Sequence, residues 1–187
     1  MDDKFIICVT GMPGSGKSII VEVAKERGYD IVVMGDVIRE EAEGRRLEPN
    51  PENLGKIMVE LRRSEGKAVI AKRCIPKIEK KPKSKVIVDG TRSLNEVEEF
   101  KKNFPKFSFI AVHSSPETRF SRVYRRRRSD DPENWEVFCE RDMRELSVGL
   151  GDAIAMAEYI IINEGNLEAL KEKIREILRR VEEKWMR

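Results

Sequence analysis

The sequence predicts a three-layer α/β domain built on a mainly parallel sheet, and three observations support this fold class. Short apolar runs alternate with longer helical patterns along the chain, which is the order of successive strand–helix units. The first run, residues 5–9, is continuously apolar and rich in β-branched residues, as expected for a strand buried on both faces. With 187 residues and no internal repeat, the chain is long enough for a single domain, residues 1–187.

The individual elements have local support. Gly28 is placed to end the helix that follows the first strand, because glycine accepts the backbone conformation found just beyond helix ends. Ser93 and Glu96 have the spacing of a capping box, and Ser115 and Pro116 supply an N-cap and a proline at the first helical position. The predicted strands are 5–9, 31–34, 86–89, 107–113 and 159–162. The predicted helices are 17–27, 36–43, 52–78, 93–104, one from 116 to a loop-like insertion at 125–134, 133–146 and 166–185. The helix at 52–78 is expected to break near Gly66 or Pro76, and the helix at 133–146 to stop around Gly149 and Gly151.

Composition narrows the class of protein. Charged residues make up 38% of the chain, and no apolar run approaches the roughly 18 residues of a membrane span, so we expect a cytoplasmic protein without a membrane partner. The net charge of +3 creates no overall field that would demand nucleic acid. Three widely spaced cysteines are expected to be reduced packing residues. Abundant Lys, Arg and Glu with no glutamine are typical of a thermophile.

The strongest functional signal is the segment GMPGSGKS, residues 11–18, which we call the glycine-rich loop. It matches the Walker A pattern G-x-x-x-x-G-K-[S/T] and lies between a predicted strand and a predicted helix. Such a loop curls so that its N–H groups surround phosphates, while Lys17 reaches the β- and γ-phosphates and Ser18 ligates Mg²⁺. We therefore expect ATP and Mg²⁺ as cofactors and Lys17 as a catalytic residue. The predicted nucleotide-binding residues are Gly11, Met12, Pro13, Gly14, Ser15, Gly16, Lys17, Ser18 and Ile19.

Acids and arginines follow the second and third predicted strands. Asp36 comes just after the second strand, and Asp89 ends the third at a position where an acid can hold Mg²⁺. Arg39 and Arg92 follow these acids by three residues each, and two guanidinium groups at one rim of a sheet suit an anionic substrate. The sequence therefore predicts Asp89 as a metal ligand and Asp36, Arg39 and Arg92 as acceptor-binding residues.

Three segments carry a resemblance to known kinases. MGDVIRE resembles the G-D-x-[LI]-R segment of adenylate kinases, and DGTRS resembles their D-G-x-x-R segment shortened by one residue. AEYIIINEGNLEALKEKI is similar to the last strand and helix of dephospho-coenzyme A kinases. In length and motif order the chain resembles an archaeal P-loop kinase-like family related to both enzymes. The resemblance implies a P-loop NTPase fold with a five-stranded parallel sheet of nucleoside monophosphate kinase type, an acceptor-binding helical region at 36–80 and a short helical lid at 125–140.

The predicted lid contains many arginines. Arg119, Arg122 and Arg126 recur at helical spacing, and residues three or four apart share a helix face. In related kinases similarly placed arginines cover the nucleotide base and neutralise the transferring phosphoryl group. Arg122 and Arg126 match that spacing best, so the resemblance implies catalytic roles for them. The run also includes Arg125, Arg127 and Arg128, with Arg141 and Arg144 beyond it.

Two acceptor chemistries fit these residues. A phosphate acceptor, as in a nucleoside monophosphate, needs positioning and charge neutralisation but no general base. A hydroxyl acceptor, as in dephospho-coenzyme A, needs a carboxylate to take its proton, for which Asp36 is the candidate. The DGTR segment favours the phosphate, and the P-L-L-x-E-like segment frequent in dephospho-coenzyme A kinases is missing. We therefore expect ATP-dependent transfer to a small nucleotide-type acceptor, by a monomer or homodimer.

A function of another class stays open at this point. The chain could be a nucleotide-dependent switch or an RNA-associated ATPase in which RRRRSDD binds the phosphodiester backbone. No aromatic residues are interleaved with that run, so it lacks the signature of a base-stacking platform. The motif N-K-x-D is not found, which argues against a GTPase.

Overall fold

Five parallel strands form one sheet in the computed structural model of the chain, which describes residues 4–126 and 131–185. The strand order is β2-β3-β1-β4-β5, and in the register Cys8 lies opposite Val88 on one side and Phe109 on the other. The predicted fold class is confirmed, and the strand that precedes the glycine-rich loop lies at the centre of the sheet. The strands are β1 (Phe5–Thr10), β2 (Asp30–Val33), β3 (Lys85–Asp89), β4 (Lys106–His113) and β5 (Tyr159–Ile162).

Helices cover both faces of the sheet. Two of them, the first and the last, pack on one face, and most of the others pack on the opposite face. The helices are α1 (Lys17–Glu26), α2 (Met34–Gly44), α3 (Pro51–Glu65), α4 (Val69–Glu79), α5 (Leu94–Asn103), α6 (Pro116–Arg126), α7 (Trp135–Ser147), α8 (Leu150–Ala155) and α9 (Leu167–Trp185). Among these helices of the described residues, none combines the length and the apolar character that crossing a membrane requires.

The central strand shows why its sequence is continuously apolar. Successive side chains of a strand point to opposite faces of the sheet. Ile6 and Cys8 belong to the core on the side of α2–α5, whereas Ile7 and Val9 belong to the core on the side of α1 and α9. All four are completely buried. Because helices cover both faces of the sheet, both sets of side chains are apolar, which explains the continuous apolar run.

The structure confirms one part of the helical prediction and corrects another. The stretch 52–78 forms two helices, α3 and α4, which are separated by residues 66–68. The predicted break near Gly66 is therefore confirmed. Pro76 does not end a helix but lies within α4. Helix α8 was not predicted, because Gly149 and Gly151 were interpreted as a stop. The chain instead turns at Gly149 and begins a new short helix at once.

The capping signal at α5 is confirmed and has a consequence for the site. The Ser93 hydroxyl accepts the Glu96 N–H at 3.4 Å, and the Glu96 carboxylate accepts the Arg92 N–H at 2.8 Å. Glu96 is completely buried and also forms an ion pair with Arg62 of α3 at 2.7 Å. These contacts fix the backbone of Arg92 at the turn that follows β3.

The cysteines give a direct test of this packing. Cys8 and Cys74 are completely buried, and burial raises the pKa of both thiols, that of Cys74 to about 12. Cys139 is only partly covered. Because the thiolate is the reactive form, an aromatic disulfide reagent is expected to titrate one thiol in the native protein and three after unfolding in guanidinium. Rapid reaction of two or three thiols in the native protein would contradict the packing of β1 and α4.

Candidate functional site

The glycine-rich loop joins the central strand to α1 and is tightly enclosed. Gly11 and Gly16 have φ of +148° and +100°, a region that favours glycine. A Cβ atom at Gly11 would lie 2.4 Å from the carbonyl oxygen of Val112, and one at Gly16 would lie 2.5 Å from the side-chain nitrogen of Asn163. Both glycines of the Walker A pattern are therefore required by backbone conformation and by close neighbours.

Lys17, the first residue of α1, lies against this loop. Its ammonium group donates to the carbonyl oxygens of Gly11 and Met12, the latter at 3.2 Å. Burial lowers the pKa of Lys17 to about 8, an effect that the nearby Asp89 carboxylate opposes. A cation and the positive end of a helix thus meet at one point, which is an arrangement that binds phosphate.

A cavity of about 500 Å³ adjoins the loop and Lys17. Its lining carries an excess of positive charge, which suits a ligand with several negative charges. The lining also includes the apolar residues Val123 of α6 and Leu167 and Leu170 of α9. Val123 and Leu170 are buried, whereas Leu167 is half exposed and can pack against a flat base. The basic residues of the lining are Lys17, Arg92, Arg122, Arg126 and Arg141, and the acidic residues are Asp89 and Glu145.

Asp89, at the end of β3, has a property that points to a cation. Its Oδ1 atom is buried and has no hydrogen-bond partner among the described residues. Burial raises the pKa of Asp89, while the charges of Lys17 and Arg92 lower it. An unpartnered buried carboxylate oxygen is costly unless something else satisfies it.

The residues present fit a magnesium ion bound together with a polyphosphate. Ser18 lines the same cavity as Asp89, and hydroxyl and carboxylate oxygens are ligands that Mg²⁺ accepts. In the described part of the chain, no three His, Cys, Asp or Glu side chains gather into a cluster that could hold a metal. Magnesium that arrives with a nucleotide needs no such cluster, because it is held by one or two protein ligands, phosphates and water.

Only some of the predicted acceptor residues lie at this cavity. Arg92 lines it and contacts Glu145 of α7 at 3.4 Å and the sulfur of Met58 at 3.3 Å. Asp36 and Arg39 are not part of the lining. They lie on α2, each with about half of its side chain exposed, and form an ion pair with each other. Asp36 is nevertheless close enough to raise the pKa of Asp89, so its role and that of Arg39 stay predictions.

The arginines of α6 differ from one another. Arg122 and Arg126 line the cavity, whereas Arg119 is buried and forms two hydrogen bonds with Asp142 of α7. Arg119 also donates to the carbonyl oxygen of Pro13 at 3.2 Å, so it braces the glycine-rich loop. Arg126 pairs with Asp131 at 2.9 Å. Of the predicted lid at 125–140, residues 127–130, which include Arg127 and Arg128, lie outside the described residues.

Several residues at the site were not predicted, and three of them are polar side chains with contacts there. Asn163 and Ser114 contact the glycine-rich loop, and Glu145 lines the cavity beside Arg92. Asn163 and Ser114 follow β5 and β4 directly, at the edge where the carboxyl ends of parallel strands meet and ligands bind. That rule could have found them, although neither belongs to a recognised motif. Glu145, within a helix, had no comparable signal.

Solved structures share this fold across nearly the whole chain. A protein from Thermus thermophilus, TT1252, superposes with a TM-score of 0.66 at 17% identity and covers 96% of this chain and 98% of its own. Shikimate kinase from Bacteroides thetaiotaomicron gives 0.60 at 15%, covering 94% and 98%, and a gluconokinase from Sinorhizobium meliloti gives 0.59 at 14%, covering 98% and 97%. Identities this low show a common fold, that of the P-loop kinases, and nothing more.

Sequence comparison identifies the family. A UPF0200 protein from Hyperthermus butylicus is 47% identical over 178 residues, which cover 95% of each chain. A UPF0200/UPF0201 protein from Archaeoglobus fulgidus is 52% identical over 176 residues, which cover 92% of this chain and 54% of that protein. A family model described as an AAA domain matches residues 10–139. The expected resemblance is confirmed: the chain belongs to the UPF0200 family of archaeal proteins and has the P-loop kinase-like AAA domain of that family.

Proposed function

We propose that this protein transfers the γ-phosphoryl group of Mg-ATP to a small nucleotide-type acceptor. The observation that carries the proposal is the meeting of three features in one cavity. These are the glycine-rich loop with Lys17, an excess of basic side chains, and the unpartnered oxygen of Asp89. Phosphoryl transfer depends almost entirely on positioning and on neutralising charge, which is what such a set of groups supplies.

The donor side of the proposal rests on the glycine-rich loop and on Leu167. The loop and the N-terminus of α1 would hold the phosphates, and Lys17 would neutralise charge on the β- and γ-phosphates. Leu167, which lines the cavity and is half exposed, would pack against the base. Arg122 and Arg126 would neutralise charge that develops on the transferring group, a contribution that reaches about 10³-fold or more in related chemistry.

The metal has a defined place in this proposal. Asp89 and Ser18 would hold Mg²⁺, with Asp89 supplying the charged ligand and Ser18 the neutral one. When bound, the ion neutralises negative charge on the phosphates.

The acceptor side rests on Arg92. Its backbone is fixed by Glu96, and its side chain faces the cavity beside Glu145. A guanidinium group binds phosphate through two parallel hydrogen bonds, which favours an acceptor that carries a phosphate. Such an acceptor needs no general base.

A hydroxyl acceptor is the second candidate, because one observation favours it. Asp36 lies near enough to Asp89 to affect its pKa, although it does not line the cavity. Asp36 would take a proton from a hydroxyl acceptor only if that acceptor brings its hydroxyl group within hydrogen-bond reach of the Asp36 carboxylate.

A panel assay tests the proposal. The protein is incubated with Mg-ATP and, separately, nucleoside monophosphates, dephospho-coenzyme A, small alcohols or RNA, and the products are identified by mass. Phosphorylation of a nucleoside monophosphate is the expected result. Phosphorylation of dephospho-coenzyme A or an alcohol instead would select the second candidate. ATP consumption stimulated only by RNA, with binding that weakens steeply as salt rises, would identify an RNA-associated ATPase and reject both.

Two substitutions separate the roles of the acids. Asp89→Asn is expected to lower kcat by about 10²-fold or more with either acceptor, because the amide cannot replace a charged ligand. Asp36→Asn is expected to have a mild effect with a phosphate acceptor but to cost about 10²–10⁴-fold with a hydroxyl. Asp152→Asn, at an exposed position of α8, is the matched control and should leave kcat unchanged. Equal effects of Asp36→Asn on both acceptor classes would show that Asp36 is not a base.

A further inference from the structure

We infer that Asn163 is a positioning residue that holds Arg122 in a fixed place relative to the glycine-rich loop, an inference that rests on the function proposed above. Asn163 follows β5 directly and is 95% buried, with 5% of its surface exposed. Its side-chain nitrogen donates to the carbonyl oxygen of Ser15 at 2.8 Å. Its backbone and side-chain oxygens both accept from one nitrogen of Arg122, at 3.0 and 3.3 Å. One side chain therefore contacts both parts of the site.

Ser114, at the end of β4, completes the support. Its hydroxyl accepts from the other terminal nitrogen of Arg122 at 2.9 Å and donates to the backbone oxygen of Asn163. Both terminal nitrogens of the guanidinium are thus held, one by each neighbour. A planar group fixed at two corners has lost most of its rotational freedom.

The partners of Arg122 are uncharged, and this distinguishes it from its neighbours. Arg92 contacts Glu145, Arg119 is paired with Asp142 and Arg126 is paired with Asp131. In the described part of the chain, the hydrogen bonds of Arg122 go only to the oxygens of Ser114 and Asn163.

Hydrogen bonds from Thr118 and Ser115 lower the pKa of Glu164, the residue next to Asn163, and the charge of Arg122 lowers it further without a hydrogen bond between the two side chains. Glu164 accepts from the hydroxyl of Thr118 at 2.6 Å and from the N–H of Ser115, rather than from Arg122. Neutral acceptors orient the guanidinium group of Arg122, and the exposed Glu164 acts on it only through its charge, so an anion in the cavity can still bind this group.

The close approach of Asn163 to the glycine-rich loop links the position of Arg122 to the position of the loop. A Cβ atom at Gly16 would lie 2.5 Å from the Asn163 nitrogen, so the loop and this side chain are in direct contact. A small shift of Asn163 would move Arg122 relative to the loop that holds the phosphates. Displacements of about 1 Å at a transferring group cost about 10²-fold in rate. Asn163 would therefore act on turnover through Arg122 more than on nucleotide affinity.

The test is a double-mutant cycle on Asn163→Ala and Arg122→Ala. Mg-ATP is the only ligand and water is the acceptor. The release of phosphate gives kcat and the KM for ATP. We expect each single variant to lower kcat by about 10²-fold or more while KM rises less than about tenfold. The double variant should be no slower than the slower single variant, because both changes remove one arrangement. Losses in kcat that multiply in the double variant would overturn the inference, as would an unchanged kcat in Asn163→Ala.

Two further variants keep the result interpretable. Asn166→Ala is the matched control, since Asn166 lies on the same loop after β5 but only accepts the N–H of Ala169 at 2.9 Å. It should lower the melting temperature and leave kcat unchanged. If Asn163→Ala does not fold, Ser114→Ala takes its place in the test. It removes one hydrogen-bond acceptor of Arg122 and should also lower kcat. A Ser114→Ala variant with wild-type kcat would then overturn the inference.

The lysine variant separates failure of this inference from failure of the proposed function. If Lys17→Ala releases phosphate as fast as the wild type, the site is not a phosphoryl-transfer site and both proposals fall. If Lys17→Ala is inactive while Asn163→Ala keeps its turnover, only the positioning role falls.

Discussion

Replacing Lys17 with alanine is expected to abolish phosphoryl transfer, with kcat falling by about 10³-fold or more. The ammonium group lies at the glycine-rich loop beside Asp89, in a cavity that it shares with four arginines. In a buried site a fixed charge stabilises developing negative charge far better than water does, and removing one such group costs at least 10²–10³-fold. The loss should be visible with any acceptor that the panel assay identifies.

The same substitution is expected to leave the fold at least as stable. Burial lowers the pKa of Lys17 to about 8, so the charged form is less favourable in the folded protein than in the unfolded chain. Below pH 8 that cost is fully present, and it fades as pH rises toward the ordinary value for lysine. At pH 7 the alanine variant should therefore melt at or above the wild-type temperature.

The control for this prediction is on the same helix. Lys25, in the last turn of α1, is exposed and does not line the cavity. Lys25→Ala should leave kcat and KM for ATP unchanged. A Lys17→Ala protein that folds normally and still transfers phosphoryl groups at more than about a tenth of the wild-type rate would rule out the role assigned to Lys17.

Features that depend on neighbouring residues could be predicted from the sequence. The glycine-rich loop, the cap at Ser93 and the strands that alternate with helices all depend on residues within a few positions of one another. Asn163 could not be found in this way, because it is 148 positions from Ser15, to which it donates. Only the order of strands in the sheet brings these two residues together.

Asp36 and Asp89 show the limit of the rule that ligands bind at the carboxyl ends of parallel strands. Asp36 follows β2 and Asp89 is the last residue of β3, but β3 is next to the central strand whereas β2 is at the edge of the sheet, beyond β3. In addition, α2 begins at Met34, directly after β2, so that Asp36 belongs to the first turn of a helix and pairs with Arg39. The strand order decides which acid lines the cavity, and no local pattern encodes it.

The arginines of α6 show the same limit. Helical spacing placed Arg119, Arg122 and Arg126 on related faces, but it does not show which side chain meets a carboxylate from another helix. Asp142 of α7 forms an ion pair with Arg119, which is buried and supports the glycine-rich loop. Arg122, one turn further on, meets neutral oxygens and stays at the cavity. Pairing partners from distant segments therefore decide the role of each arginine.

Replacing Gly11 with alanine is expected to destabilise the protein by about 2–4 kcal/mol, the largest stability effect that we predict. The new Cβ atom would lie 2.4 Å from the carbonyl oxygen of Val112 in β4 and 2.8 Å from the hydroxyl of Ser15. The Val112 carbonyl belongs to the backbone of the strand next to β1, so it cannot rotate away. The φ of +148° adds a conformational cost that alanine cannot avoid.

Gly28 provides the matched control for this prediction. It also has a positive φ, of +82°, but a Cβ atom there would meet nothing within 4 Å. Gly28→Ala should therefore show the conformational cost alone, about 1–2 kcal/mol. Unfolding in urea, followed by circular dichroism, gives the free energy of unfolding of each variant. The additional loss of stability in Gly11→Ala is the cost of the close contact with β4. Equal losses would show that the first glycine of the loop is required only for its φ, and that the loop has room to move away from β4.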